Sequence, residues 1–213
     1  MKRLIIGATL TAVMLLMICG SRASAEKNFQ TGDIIFQTTQ GRLATVVATA
    51  TASKYTHVGM IIMKKGKPYV IEARNRGVKM RPLHKFTEAG FGKNFSVLRP
   101  VYGLSKEQKL KLTKEAKSHL GKKYDSKFRW DDKKLYCSEL VYKSYLNALG
   151  LRLNATEKLG DFYNTWNPII LAYVERKYQN GKNLPLDEEV ISPVRLYESK
   201  VLKLVYSNYL SVF

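Results

Sequence analysis

In the stretch YTHVGMIIMKKGKPYVIEAR, residues 55–74, two apolar and β-branched runs flank Lys65-Gly66. A two-residue loop containing glycine is a hairpin signal, because the tight turns that match strand twist need positive φ. With Lys65-Gly66 as that loop, Lys64 pairs with Lys67 and every later pair keeps a residue-number sum of 131. Gly59 then faces Glu72, and His57 faces Arg74. Side chains alternate between faces along a strand, so His57, Gly59 and Glu72 share one face. Glu72 sits diagonally from His57, about 7–8 Å away across the ladder and within reach of a long side chain. Gly59 places no side chain between them, whereas a one-residue slip would turn Glu72 to the opposite face.

Working outward, NFQTGDIIFQTT reads as a turn at Thr31-Gly32-Asp33 followed by a strand, Ile34 to Gln37, and GRLATVVATATASKY reads as a helix bounded by Gly41. GVKMRPLHKFTEA and FSVLRP continue the β character. LSKEQKLKLTKEAKSHLGKKYD is a helix with Ser105 as N-cap, Gln108 in the capping-box position and Gly121 as its stop. After a loop holding Phe128, Trp130, Asp131 and Asp132 comes LYCSELVYKSYLNALG, residues 135–150, with Leu140, Val141, Tyr145, Leu146 and Leu149 at helical spacing and Gly150 as the stop. A helix opened near Pro168, a loop around NGKNLPLDEE, a helical turn begun by Ser192-Pro193 and a β-like run KVLKLVYSNYL complete the chain. No repeat, low-complexity tract or linker divides it. The fold class is α+β: a small antiparallel sheet with helices packed on it.

Residues 1–25, MKRLIIGATLTAVMLLMICGSRASA, have Lys2 and Arg3, an apolar run from Leu4 to about Cys19 and a small-x-small site at Ala23-Ser24-Ala25. That is a secretory signal peptide, and it predicts a periplasmic or secreted protein. The apolar run is short for a retained anchor, and Ile18 is not the small residue that a lipoprotein signal places before its cysteine. Residues 26–213 then form one domain with no stable transmembrane segment. The leader carries Lys2, Arg3 and Arg22 and no acid, so the net charge of +19 becomes +16 after cleavage. Such a surplus suits an anionic envelope surface, lipid or glycan, or else means only a solvated, soluble surface. Export and the lack of a recognisable nucleic-acid module argue against nucleic acid.

Cys19 leaves with the leader, so Cys137 has no intramolecular partner. In an oxidising compartment an odd thiol is buried and inert, paired to another chain, or reactive. Cys137 opens a helix, where unpaired N–H groups and the dipole favour thiolate over thiol, and where the same groups can receive an oxyanion. Its base is sought among three histidines. His119 lies near a helix C-terminus, where an imidazolium suits the dipole, and His84 lies in a polar connection. His57 opens a strand with Gly59 two residues on, which leaves room for a substrate or a neighbouring side chain, and Glu72 is placed to hold its ring. The competing reading is a satisfied core histidine beside a surface glutamate paired to Arg74 or Arg76. Asp33 closes a turn, Asp131 and Asp132 shape the approach to the helix, and Glu139 in its first turn would oppose a thiolate if it leaned close. Tyr124, Phe128, Trp130 and Tyr136 are cleft-lining candidates; Tyr136, Trp130 and Tyr55 are the substrate-binding or oxyanion candidates. One cysteine and three dispersed histidines show no metal-ligand spacing, so no metal or cofactor is expected.

The segments GDIIFQ, SKYTHVGMIIM, YVIEA, LGKKYD, WDDKKLYCSELVYKSYLNALG and NLPLDEEVISP, in this order, resemble the YiiX group of permuted papain-like cysteine hydrolases, relatives of the NlpC/P60 cell-wall peptidases. The resemblance covers almost all of residues 26–213 and implies a circularly permuted papain-like fold, in which the strand with the base precedes the helix with the nucleophile. It implies Cys137 as nucleophile, His57 as base and Glu72 as orienting acid. The NCEHF motif of the lipid-acyltransferase branch is absent. The expected function is a cysteine-dependent amide or ester hydrolase acting on a small acyl, peptide or lipid-like substrate. The alternative is a catalytically silent, basic envelope-binding module.

Overall fold

The computed structural model describes residues 28–163 and 167–209; the expected leader lies outside them. The first half runs β1 (Ile34–Gln37), α1 (Arg42–Thr51), β2 (His57–Lys64), β3 (Lys67–Arg74), β4 (Gly77–Pro82), α2 (Leu83–Thr87) and β5 (Phe95–Pro100). The second runs α3 (Lys106–Ser118), β6 (Lys123–Tyr124), β7 (Lys134–Leu135), α4 (Cys137–Leu149), β8 (Glu157–Lys158), α5 (Pro168–Lys177), β9 (Glu189–Val190), α6 (Pro193–Tyr197) and β10 (Leu202–Ser207). Among the described residues the main sheet has six strands in the order β10-β5-β1-β2-β3-β4, with every neighbouring pair antiparallel. No helix among them is long and apolar enough to cross a membrane.

The hairpin has the register that its loop dictates: Lys64 pairs with Lys67, and Met60 with Ile71. Lys65 and Gly66 both take positive φ, 50° and 73°, as a twist-matched two-residue turn requires. β2 is covered on both faces. Val58, Met60 and Ile62 belong to the larger core with Ile71, Leu140, Val141 and Tyr145. Ile61 belongs to the smaller core with Ile35, Val70, Leu83 and Phe86. By alternation His57, Gly59 and Glu72 stand on the smaller-core side of the sheet.

The helix that opens at Cys137 is the centre of the larger core. All residues from Cys137 to Tyr145 are buried, and the helix stops at Gly150, whose φ of 65° lets its N–H return to the Leu146 carbonyl. Leu112 and Ala116 of α3 pack in the same core, and α3 has the capping box expected at Ser105 and Gln108. Burying a leucine in this way is worth about 1.5–3 kcal/mol, so the first turn of α4 is held far more firmly than a surface helix end.

Two expectations need correction. The β character read through GVKMRPLHKFTEA stops at Pro82, and Leu83–Thr87 is a short helix. Leu83 and Phe86, three residues apart, bury together against the sheet, and that tertiary contact outweighs the local β preference. His119 is buried, and burial, with Lys122 nearby, holds its pKa below the usual imidazole range, so it is neutral and not the imidazolium expected at a helix end.

Gly59 has no room for a side chain. A Cβ there would lie 2.5 Å from Val70 Cγ1, 3.0 Å from the Ile71 carbonyl oxygen and 3.3 Å from Phe86 Cε2. Gly59→Ala is therefore expected to cost about 1–3 kcal/mol through overpacking, read as a lower urea midpoint with an unchanged slope. An unaltered midpoint would mean that Val70 and Phe86 yield freely.

Candidate active site

The first turn of α4 is built by its neighbours. Tyr136 precedes it in extended conformation, φ −95° and ψ 171°, and its N–H donates to Glu139 Oε2 at 3.3 Å. The Ser138 hydroxyl donates to the Ile191 carbonyl at 2.6 Å, while the Ile191 N–H donates to the Tyr136 hydroxyl at 3.1 Å. These two bonds lock the helix tip to the segment that enters α6. On the other side, Tyr124 of β6 pairs in parallel with Leu135 of β7, two residues before Cys137.

His57, at the start of β2, meets that tip. Its ring hydrogen-bonds Cys137, and its Nε2 lies 2.5 Å from Glu72 Oε2. Nε2 is thus engaged by Glu72. The ring stacks on Phe86, with centroids 5.6 Å apart and planes at 25°. The second Glu72 oxygen is ion-paired by Arg81, whose guanidinium lies 5.8 Å from the Phe86 ring centroid. His57 thus interacts with both Glu72 and Cys137, with Arg81 on the other oxygen of the carboxylate and Phe86 stacked on the ring.

The charges follow from this packing. Burial pushes the Cys137 thiol up, but the hydrogen bond and charge of His57, with the N–H groups of Val58 and Ser138, outweigh it and hold Cys137 below the usual thiol range. Burial pushes His57 down, and its bonds to Cys137 and Glu72 more than reverse this, raising it to about 9. Burial likewise opposes ionisation of Glu72, yet His57 and Arg81 keep it below the usual carboxylate range. The pairing therefore favours the thiolate–imidazolium form over the neutral thiol and imidazole. Glu139 does not oppose them: burial pushes its carboxyl up to about 8 against the pull of Lys143, whose Nζ is 2.8 Å away.

Two cavities meet at these residues. Cys137 and Ser138 line an almost wholly apolar one, about 780 Å³ including its open mouth, together with Val46 and Ala50 of α1 and Ile170, Tyr173 and Val174 of α5. His57 lines a polar one of about 550 Å³, beside Arg42 and Arg74. Val47 and Tyr124 line both.

Of the aromatic candidates, Tyr124, Phe128 and Tyr136 line the apolar cavity, whereas Tyr55 and Trp130 line neither. Tyr55 is core: its ring stacks on Tyr197 at 4.2 Å and its hydroxyl lies 3.0 Å from Ser96 Oγ. Trp130 packs along α4 against Tyr142 at 5.6 Å, with Lys143 Nζ 4.8 Å above its ring, so it braces the helix and does not face the cleft. Asp33 closes its turn by accepting from the Gln30 N–H at 2.8 Å and also pairs with Arg99. Asp132 pairs with Lys143. Arg81, Phe86 and the α5 wall are additions that the sequence reading lacked. Arg81 was within its reach: pairing Arg74 with Gly77 across Asn75-Arg76 places Arg81 opposite Val70, diagonal to Glu72 on the same face.

Residues 28–206 match the family model described as permuted papain-like amidase enzyme, YaeF/YiiX, C92 family. The chain belongs to this permuted papain-like amidase family. It is 42% identical over 176 residues to the Escherichia coli K12 protein YiiX, covering 83% of this chain and 85% of that protein. A crystal structure of YiiX from Escherichia coli O157:H7 superposes with a TM-score of 0.80 at 41% identity, covering 85% of this chain and 98% of the other. That structure is titled a metalloprotein. In this member of the amidase family, no group of three or more His, Cys, Asp or Glu among the described residues is placed to hold a metal ion. The described residues do not fit a metal centre, and no step below passes through one.

Proposed function

We propose that the chain is an exported cysteine hydrolase that cleaves an amide or ester of an apolar acyl group. One observation carries this reading: the thiol at the tip of α4 contacts the His57–Glu72 pair on one side and opens into an apolar cavity on the other. Such a cavity receives a hydrocarbon chain and leaves the carbonyl at its mouth beside sulfur. Export rests on the leader read in residues 1–25.

In the proposed cycle the Cys137 thiolate attacks the acyl carbon, and the carbonyl oxygen gains the charge. Backbone N–H groups at the start of α4 and the Tyr124 hydroxyl are the donors assigned to that oxyanion. Tyr124 lines both cavities, and its hydroxyl stays protonated because burial, and then the Cys137 charge, push its pKa well up. The tetrahedral species collapses to a thioester as the carbon–heteroatom bond breaks, and the leaving amine or alcohol departs with the His57 proton. Neutral His57 then takes a proton from water, the hydroxide adds to the thioester, and the carboxylic acid leaves as Cys137 returns to thiolate.

Incubation with p-nitrophenyl decanoate followed by mass spectrometry tests this directly. A decanoyl adduct on Cys137 that decays with release of decanoate is the expected result. Failure to acylate Cys137 would discard the hydrolase and leave the basic envelope-binding module in its place.

A further inference from the structure

The two cavities differ in chemistry, and the line between them is the line along which the bond must break. His57 delivers its proton to the departing atom, so the leaving group lies on the His57 side and the acyl group on the Cys137 side. The His57 side is the polar cavity. Arg42 and Arg74 line it, with Gln40, Asn75 and the backbone at Gly41, and no Asp or Glu does. Among the described residues neither arginine takes part in an ion pair. Arg42 opens α1, whose N-cap Gly41 supplies no side-chain hydrogen bond and whose first turn holds no acid, so the helix dipole adds to the same positive field. Arg74 ends β3, two residues beyond Glu72, and lines the same cavity.

Resting on the hydrolase reading above, we infer that this cavity is the leaving-group subsite and that it selects an anionic leaving group, an amine or alcohol that carries a carboxylate or a phosphate. Two guanidinium groups without carboxylate partners are suited to bidentate capture of either anion. The substrate class is then an amphiphile: a hydrocarbon acyl chain in the α1–α5 cavity and a negatively charged head beside His57. Hydrolysis separates the two ends, each leaving through its own cavity.

The test compares kcat/KM for four decanoyl compounds: the amides of glycine, of glycinamide and of phosphoethanolamine, and p-nitrophenyl decanoate. Wild type is expected to prefer an anionic amide over the glycinamide by on the order of 10- to 100-fold, the span of one or two charge-assisted hydrogen bonds. Whether glycine or phosphoethanolamine is the better of the two assigns the anion as carboxylate or phosphate. In Arg42→Gln/Arg74→Gln that ratio is expected to collapse toward 1, and in Arg42→Lys/Arg74→Lys to survive in part. Iodoacetamide labelling of Cys137 in each variant verifies that the site is assembled. Equal rates for glycine and glycinamide amides in wild type, or an unchanged ratio in the glutamine variant, would overturn the subsite while p-nitrophenyl decanoate turnover upholds the hydrolase. Absence of p-nitrophenyl decanoate turnover would remove both.

Discussion

Cys137→Ser is expected to lower acyl turnover by on the order of 10⁴-fold or more, because a serine hydroxyl beside the same histidine stays protonated and the thiolate is the attacking species. The companion measurement is the pH profile of iodoacetamide alkylation. Cys137 lies below the usual thiol range and His57 is raised to about 9. Alkylation of the native protein should therefore extend to lower pH than that of an ordinary thiol, whose pKa is about 8.5. Hydrolysis should also fall again as pH rises through about 9, where His57 loses the proton owed to the leaving group. The sign reverses in His57→Ala: without the imidazolium only burial and the N–H groups of Val58 and Ser138 act on sulfur, and the alkylation profile moves toward or above the ordinary thiol range. Glu72→Gln should move it in the same direction by a smaller amount, because an amide cannot hold imidazolium as a carboxylate does. A profile that matches a free thiol and is indifferent to His57 would refute the activated pair.

The supports around His57 explain why one carboxylate suffices. Arg81 occupies the Glu72 oxygen that His57 does not use, so Glu72 stays ionised although it is only 2% exposed. Phe86 is packed at the same time against the His57 ring and beside the Arg81 guanidinium. α2, the short helix that replaced the expected β segment, is therefore the base plate of the histidine. The absence of a side chain at Gly59 is part of the same packing, since the space a Cβ would enter is filled by Val70 and Phe86.

What the sequence made legible and what it hid divide along physical lines. The β2–β3 register followed from one glycine loop, because a side-chain period of two propagates a single pairing along both strands. The helix starts at Ser105, Pro168 and Ser192-Pro193 are local signals and are legible locally. The convergence of Cys137 on His57 is not local; it depends on α4 burying its whole first turn against the sheet, and it was reached by elimination among three histidines and by the resemblance to the permuted family, with no pattern of spacing that placed the two side by side. Tyr55 and Trp130 were misplaced for a related reason. An aromatic near a candidate nucleophile in sequence can face the core, as Tyr55 does against Tyr197, or the back of the helix, as Trp130 does against Tyr142. The α5 wall, far along the chain from Cys137, left no trace in the motifs that flank the thiol.

That wall gives the second large effect, a steep dependence on acyl chain length. Each methylene that enters an apolar cavity gains about 0.8 kcal/mol, or about fourfold in kcat/KM when the gain is kept in the transition state. Extending the acyl group of one leaving group from acetyl to octanoyl adds six methylenes and should raise kcat/KM by about 10³- to 10⁴-fold. The slope should then break where the chain outgrows the space between α1 and α5. Ala50 of α1 and Val174 of α5 both line that space. Ala50→Trp should bring the break to a shorter chain and flatten the slope beyond it, whereas loss of the fold would depress every chain length alike. A chain-length profile that is flat from acetyl to octanoyl in the wild type would show that the cavity is not where the acyl group goes, because no arrangement that buries six methylenes against Ile170, Tyr173 and Val174 could leave the rate unchanged.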